Sequence, residues 1–299
     1  MSEPTYDIIT ISDFQEIFLI ISSFGDDLDY FSNKKFLSAL QSRDVIFKAL
    51  KRNSIVQAYC LLQYSNKIFQ MFHYKSYLDS EDFFDALLYS SFDSGKIFNP
   101  SFFRSTVLFP ISSVLKNSFI SYGFAVYNRF FMVLQLSDCS FPYPDLEGFS
   151  IRNTISDFPT AIIDLIMIAT RDQLDSKIYP EFLDFNSLQN IYGFKNSRSL
   201  FYSEKGSVLL FHNDKLIGVN LIKLEVNSCA TVWQLAIHPS FRRQKLARKI
   251  MILSILALQE MGIKELTLNV SFGNPAQFLY ETLGFKIKDP LFSIIVKPY

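Results

Sequence analysis

With 299 residues, 49% of them hydrophobic and 19% charged, the chain is long enough for two domains and too apolar to be disordered. Its 29 Lys and Arg balance its 29 Asp and Glu, which excludes a global field drawing it to nucleic acid or to an anionic membrane. Three cysteines, Cys60, Cys139 and Cys229, form neither a metal-type pair nor a disulfide framework, and point to a reducing cytoplasm. Residues 1–7 show no cationic region followed by an apolar core, so no signal peptide is expected. The longest apolar runs, 161–169 with Asp164 inside and 251–258, fall short of the roughly 20 residues a membrane span needs.

In chain order, Tyr6 to Ile11 reads as a strand, and Ser12-Asp13 caps a helix carrying Ile17, Ile20, Ile21 and Phe24. Val45 to Leu50, Ile55 to Gln63 and Ile68 to Tyr74 suggest three more strands. Ser80-Glu81-Asp82 opens a helix with Phe83, Phe84, Leu87 and Leu88. Ser105 to Phe109 reads as a strand, Ser112 to Ser121 as a helix and Arg129 to Leu136 as a strand. Residues 137–145, the most turn-rich stretch, mark a boundary between a domain over 1–140 and a second over 146–299.

The second half repeats the order. Phe149 to Arg152 is a strand, Asp157-Phe158-Pro159 opens a helix through Ile168, and Val208 to Phe211 and Leu216 to Leu224 are strands. Val232 to Ile237 is short and β-rich, as a buried strand should be, while Leu246, Ile250, Leu253 and Ala257 recur at helical spacing. Between them lie Arg242, Arg243, Gln244 and Lys245, followed in the first helical turn by Ala247, Arg248 and Lys249. Cations there surround unpartnered helix N–H groups and the positive end of the helix dipole, an arrangement that suits an anion, above all a pyrophosphate. Leu266, Leu268 and Val270 alternate as a further strand. Ser271-Phe272-Gly273-Asn274-Pro275 then turns into a helix ending Leu279-Tyr280-Glu281-Thr282-Leu283-Gly284-Phe285.

This ordered set of strand, cationic elbow, helix, strand, Asn-Pro-Ala, Leu-Tyr-Glu and Leu-Gly-Phe resembles the GNAT superfamily of acetyl-coenzyme A dependent N-acyltransferases over residues 146–299. The family's elbow pattern is Arg or Gln, two residues, Gly, one residue, then Gly or Ala. Arg242 and Ala247 fit, and Lys245 stands where Gly is expected. A glycine allows close backbone approach to pyrophosphate; a lysine offers a point charge instead. The fold implied is α/β, with mixed, mostly antiparallel sheets flanked by helices.

An internal repeat strengthens the reading, since Phe119-Ile120-Ser121-Tyr122-Gly123-Phe124 matches Tyr280-Glu281-Thr282-Leu283-Gly284-Phe285 in pattern, implying two copies of one fold. The first copy's elbow reads Lys75-Ser76-Tyr77-Leu78-Asp79-Ser80-Glu81-Asp82, whose carboxylates repel phosphate and stabilise the helix start by about 0.5 kcal/mol each. Phe119 replaces the tyrosine. The N-terminal copy is therefore expected to be degenerate, shaping structure or substrate binding beside a catalytic second copy.

The resemblance implies direct transfer of an acetyl group from acetyl-coenzyme A to a primary amine. Leu235, Ala236 and Ile237 occupy the bulged strand that binds the thioester and pantetheine through the main chain. Arg242, Arg243, Gln244, Lys245, Leu246 and Ala247 form the pyrophosphate elbow, Asn274 lies beside the pantetheine arm, and Tyr280 is the general acid for the departing sulfur. At the strand position of a family glutamate stands Thr231-Val232-Trp233-Gln234, so Glu225 and His238 are the nearest titratable candidates for a base. Trp233 is core or acceptor-pocket wall, and Tyr192-Gly193-Phe194 through Leu200-Phe201-Tyr202 are expected to wall an acceptor cleft between the domains. Metal and nucleic acid are not expected. The acceptor is a small molecule or a peptide. Two alternatives compete: a silent acyl-coenzyme A binder or sensor, and an interaction protein that kept the fold and lost the ligand.

Overall fold

The computed structural model describes residues 7–23, 45–65, 68–76, 84–95, 102–107, 113–193 and 202–298. The chain divides into two compact units, Met1–Asn128 with Phe292–Tyr299, and Arg129–Leu291.

The first unit contains β1 (Asp7–Ile11), α1 (Phe14–Ser23), β2 (Val45–Arg52), β3 (Ile55–Ser65), β4 (Ile68–Ser76), α2 (Phe84–Gly95), β5 (Phe102–Val107) and α3 (Ser113–Ser121). Asp13 starts α1 as expected: its Oδ1 accepts the Glu16 N–H at 2.8 Å. Ile17, Ile20 and Ile21 of α1 are buried against Phe47, Ala49, Tyr59 and Leu61. Of the expected acidic elbow over 75–82, Lys75 and Ser76 end β4, while residues 77–82, like Phe24, lie outside the described residues. Strands β1 to β4 pair antiparallel in sequence order. β4 pairs parallel with β5 only through Ile68 and Phe69, and β5 pairs antiparallel with Ser293–Pro298 at the chain's end.

The second unit begins within β6 (Ala125–Gln135) and continues with β7 (Ser150–Arg152), α4 (Pro159–Thr170), α5 (Leu174–Ile178), α6 (Phe185–Ile191), β8 (Val208–His212), β9 (Lys215–Leu224), β10 (Cys229–Ile237), α7 (Leu246–Glu260), β11 (Glu265–Ser271), α8 (Ala276–Thr282) and the start of β12 (Lys286–Pro298). β7 to β10 pair antiparallel in sequence order, β10 pairs parallel with β11, and β11 pairs antiparallel with β6 from Arg129 to Gln135. This is the pattern of the first unit, strand for strand. The sixth strand is exchanged: β6, which follows α3, completes the second unit's sheet, while the end of β12, which follows α8, completes the first's. The sequence limits of 1–140 and 146–299 differ from the compact units, because Arg129 onward falls in the second unit and Phe292–Tyr299 in the first.

The two helix ends carrying the repeat agree in geometry. Phe124 N donates to the Phe119 carbonyl at 2.9 Å and Phe285 N to the Tyr280 carbonyl at 3.0 Å, with Gly123 (φ 81°) and Gly284 (φ 95°) left-handed between them. Each first residue meets its phenylalanine edge-on, Phe119 with Phe124 at 5.6 Å and Tyr280 with Phe285 at 5.7 Å.

The second unit's sheet is covered on both faces. α4 and α6 bury Ile162, Ile166 and Leu188 against Leu209, Val219 and Leu221. On the other face Leu246, Ile250 and Leu253 of α7 pack on Val208, Leu210 and Ile237, and Met251 and Ile255 join Leu266, Leu268 and Tyr280. The strictly helical spacing of α7 is thus the stripe that buries it.

Candidate acyl-transfer site

The site starts from a flaw in the sheet. Parallel pairing of β10 with β11 is limited to Cys229–Thr231 against Glu265–Thr267, where Thr231 and Thr267 share a 2.9 Å hydroxyl hydrogen bond. β11 continues along β6 to Ser271, while β10 continues along β9 to Ile237, so the strands diverge. Trp233 forms a bulge between Val232 and Gln234, which turns β10 away from its parallel neighbour. Leu235, Ala236 and Ile237 keep β9 on one edge, opposite Asn220, Val219 and Gly218. β11 pairs with none of these three, its register with β10 ending at Thr231 and Thr267.

At the end of β10 the chain makes a 3-10 turn (Pro239–Phe241) and reaches the elbow. Arg243 (φ 65°) and Lys245 (φ 60°) are left-handed, a conformation costing a side-chain-bearing residue about 1–2 kcal/mol. Lys245 is the N-cap of α7 and makes no side-chain cap, and no acidic residue stands in the first turn. The first N–H groups of α7 therefore open onto a cationic loop in which Arg243, Gln244 and Lys245 are exposed, Ala247 is half-buried and Leu246 is anchored in the core. This arrangement fits a pyrophosphate.

Two of the elbow cations have internal work. Arg242 Nη2 donates to the Ala169 carbonyl at 2.6 Å and Nε to the Ile237 carbonyl at 3.3 Å, tying the elbow to the C-terminal turn of α4. Arg248 Nη1 donates to the carbonyl and hydroxyl of Thr282, both at 3.1 Å, joining α7 to α8.

Tyr280 is buried on α8, and its hydroxyl pKa is pushed well above the usual tyrosine value by burial, then by Asp175, against a lowering from Arg129. Its proton is thus held throughout the physiological range. Asn274 uses both ends of its amide: Oδ1 accepts the Ala276 N–H at 2.9 Å, starting α8, and Nδ2 donates to Asp175 Oδ2 at 3.3 Å. Asp175, on a helix of five residues, was not singled out by sequence because so short a helix carries no periodic signal. Burial raises its carboxyl pKa, while Arg129 and Asn274 lower it. Arg129, buried on β6, donates to the Tyr179 hydroxyl at 2.5 Å and to the Asn269 carbonyl at 3.0 Å.

The two base candidates stand apart from this cluster. Glu225 pairs with Lys223 at 3.1 Å at the β9–β10 hairpin, the end of β10 remote from the elbow. The Nδ1 of His238 accepts the Ser240 N–H at 3.3 Å, which builds the turn into the elbow.

Beside the bulge lies a cavity of about 240 Å³ lined by Asn190, Ile191, Tyr192, Gly193, Tyr202, Lys223 and Trp233. Tyr192 donates its hydroxyl to Gln234 Oε1 at 2.8 Å, fixing the wall to the bulged strand. Tyr192, Gly193, Tyr202 and Trp233 thus come together; residues 194–201 of the expected wall lie outside the described residues. Among the described residues no group of three or more His, Cys, Asp or Glu is placed to hold a metal, and no helix is long and apolar enough to cross a membrane.

Residues 167–285 match the acetyltransferase (GNAT) family model. The chain is 31% identical over 80 residues to a [ribosomal protein bS18]-alanine N-acetyltransferase of Haemophilus influenzae, a match covering 27% of this chain and 54% of the relative. The chain thus spans about half the length of that curated relative. Among solved structures it shares the fold of a GCN5-related N-acetyltransferase from Sphaerobacter thermophilus, with a TM-score of 0.60, 13% identity and coverage of 98% of this chain and 95% of that one. A tandem GNAT protein from the clavulanic acid biosynthesis pathway is similar with a TM-score of 0.54, 11% identity and 98% coverage of both chains.

Proposed function

We propose, from the match of residues 167–285 to the acetyltransferase (GNAT) family model, that the protein is an N-acetyltransferase carrying an acetyl group from acetyl-coenzyme A directly to a primary amine. The observation that carries the reading is the divergence of β10 from β11 after Thr231 and Thr267, leading into an elbow free of acidic residues. The N–H groups at the start of α7, with Arg243 and Lys245 beside them, bind the pyrophosphate. Leu235, Ala236 and Ile237 offer main-chain groups to the pantetheine arm and the thioester carbonyl. Asn274 orients the turn beside that arm, and Tyr280 gives its proton to the departing sulfur.

The N-terminal unit is a degenerate copy that does not bind the cofactor. Its matching strand order and Phe119 at the position of Tyr280 support this. The acceptor is a small molecule or a peptide amine. The cavity beside Trp233 is its entry, and the peptide alternative draws on the relative from Haemophilus influenzae, named for an alanine of a ribosomal protein. Three cysteines without disulfide partners support a cytoplasmic setting.

The test is calorimetric titration of the full chain with acetyl-coenzyme A beside Ala247→Asp, which puts a carboxylate in the first turn of α7. Micromolar binding that the substitution abolishes supports the reading. Unchanged affinity in the variant moves the phosphate site elsewhere, and absence of binding by the wild type favours a protein that kept the fold for interaction alone.

A further inference from the structure

We propose that Asp175 is the residue that takes the proton from the incoming amine. This rests on the acyl-transfer reading above. The strand position of a family glutamate holds no carboxylate here, Glu225 is paired with Lys223, and His238 is committed to its turn. Asp175 of α5 instead meets the turn that follows β11, where Asn274 Nδ2 donates to its Oδ2 at 3.3 Å.

The charge of Asp175 is felt both by the proposed acid and by a residue of the cavity wall. Its charge acts on Tyr280, the proposed acid on α8, and on Tyr192, whose ring lines the cavity. Burial raises the Asp175 carboxyl above its ordinary value, and Arg129 of β6, with the Asn274 hydrogen bond, opposes that rise. A carboxylate hydrogen-bonded beside the turn that starts α8, and acting on both Tyr280 and Tyr192, can serve the reaction as its general base.

The step balances without any further reactant. The Asp175 carboxylate accepts one proton from the acceptor ammonium and passes it to solvent. The neutral nitrogen then attacks the thioester carbonyl carbon: the C–N bond forms, the C–S bond breaks, and the Tyr280 proton goes to sulfur. The second nitrogen proton restores Tyr280, so one proton is released per amide formed.

The test follows thiol release from acetyl-coenzyme A by the full chain with two probe amines, an Ala-Ala-Ala peptide amide with a free N-terminus and 2-phenylethylamine. Acetyl-coenzyme A affinity is measured alongside. Asp175→Asn, which keeps the size of the side chain and an acceptor for Asn274, should lower kcat/KM about 100-fold at neutral pH with affinity unchanged within about twofold. The loss should shrink as pH approaches the pKa of the probe amine, because neutral amine then needs no base. Asp175→Glu should keep the pH dependence of the wild type. A loss equal at every pH, or one accompanied by loss of affinity, assigns Asp175 to structure and overturns the inference. So does an unchanged profile. Wild-type protein that binds acetyl-coenzyme A but acetylates neither probe overturns the inference and leaves the cofactor site standing, whereas failure to bind acetyl-coenzyme A removes both.

Discussion

The guanidinium of Arg242 donates to the carbonyl of Ala169 at 2.6 Å, so the first residue of the elbow pattern is held by the last turn of α4. That carbonyl is one of the four at a helix C-terminus that find no partner within the helix. The same guanidinium reaches the Ile237 carbonyl, so one side chain joins α4, β10 and the elbow. Planar geometry with several donors is needed to serve both, which a lysine lacks.

Arg242→Lys should therefore behave like Arg242→Ala. Each should lower the stability of the second unit by about 2 kcal/mol, the scale of hydrogen bonds from a charged donor, and weaken acetyl-coenzyme A by disordering the elbow. Urea denaturation and calorimetry of both variants check this. If lysine restored affinity in full, Arg242 would act as a phosphate charge and the clamp would be incidental.

At Lys245 conformation and charge separate. Its φ of 60° costs about 1–2 kcal/mol for a residue with a Cβ, part of which glycine recovers before losing about 0.5–1 kcal/mol to unfolded-state entropy. Lys245→Gly should stabilise the unit by about 0.5–1 kcal/mol, and Lys245→Ala should not. Both remove an exposed cation, so both should weaken acetyl-coenzyme A by a few fold, more at low salt. Tighter binding by the glycine variant would show that the Lys245 Cβ crowds the pyrophosphate.

Much of this architecture is legible in the sequence because it is locally encoded. The stripe of α7, the cap at Asp13 and the Gly-Phe helix ends each show themselves within a few residues. Pairing is different. Nothing local to 129–135 or 292–298 states which sheet each strand joins, since an apolar strand suits either, and the exchange appears only in the register. The site divides in the same way. Arg242 is legible as a cation, but its acceptor lies 73 residues away. Asp175 sits on five residues of helix, too short for periodicity, and gains meaning only from Asn274, 99 residues further on.

Tyr280 sets the alkaline edge of the reaction. Because burial raises its pKa well above the ordinary tyrosine value, the acid form persists as pH rises through 10, and loss of activity from its ionisation is displaced upward. The pH profile of kcat should accordingly show no falling limb up to pH 10 from this group. Tyr280→Phe should slow transfer by about 100-fold while leaving acetyl-coenzyme A affinity unchanged, as expected for a group that acts on the departing sulfur alone. Equal turnover by the variant would remove Tyr280 from the chemistry.

Trp233 offers a direct reading of ligand entry, since it is the single tryptophan of the chain, 43% exposed, and stands in the bulge between the cavity and the divergent strands. The Lys223 ammonium lies over its ring at 5.4 Å from the centroid, a cation–π contact held on the other side by Glu225. Ligand that settles along β10 changes the exposure of this indole or displaces that lysine. Intrinsic fluorescence should therefore change in intensity and wavelength on titration with acetyl-coenzyme A, saturating at the calorimetric Kd, and Ala247→Asp should abolish the change. Glu225→Gln should alter the starting spectrum by releasing Lys223 while leaving the cofactor-dependent change intact, since the pyrophosphate elbow lies at the other end of β10. A titration that binds by calorimetry yet leaves Trp233 unmoved would place the acyl arm away from the bulge.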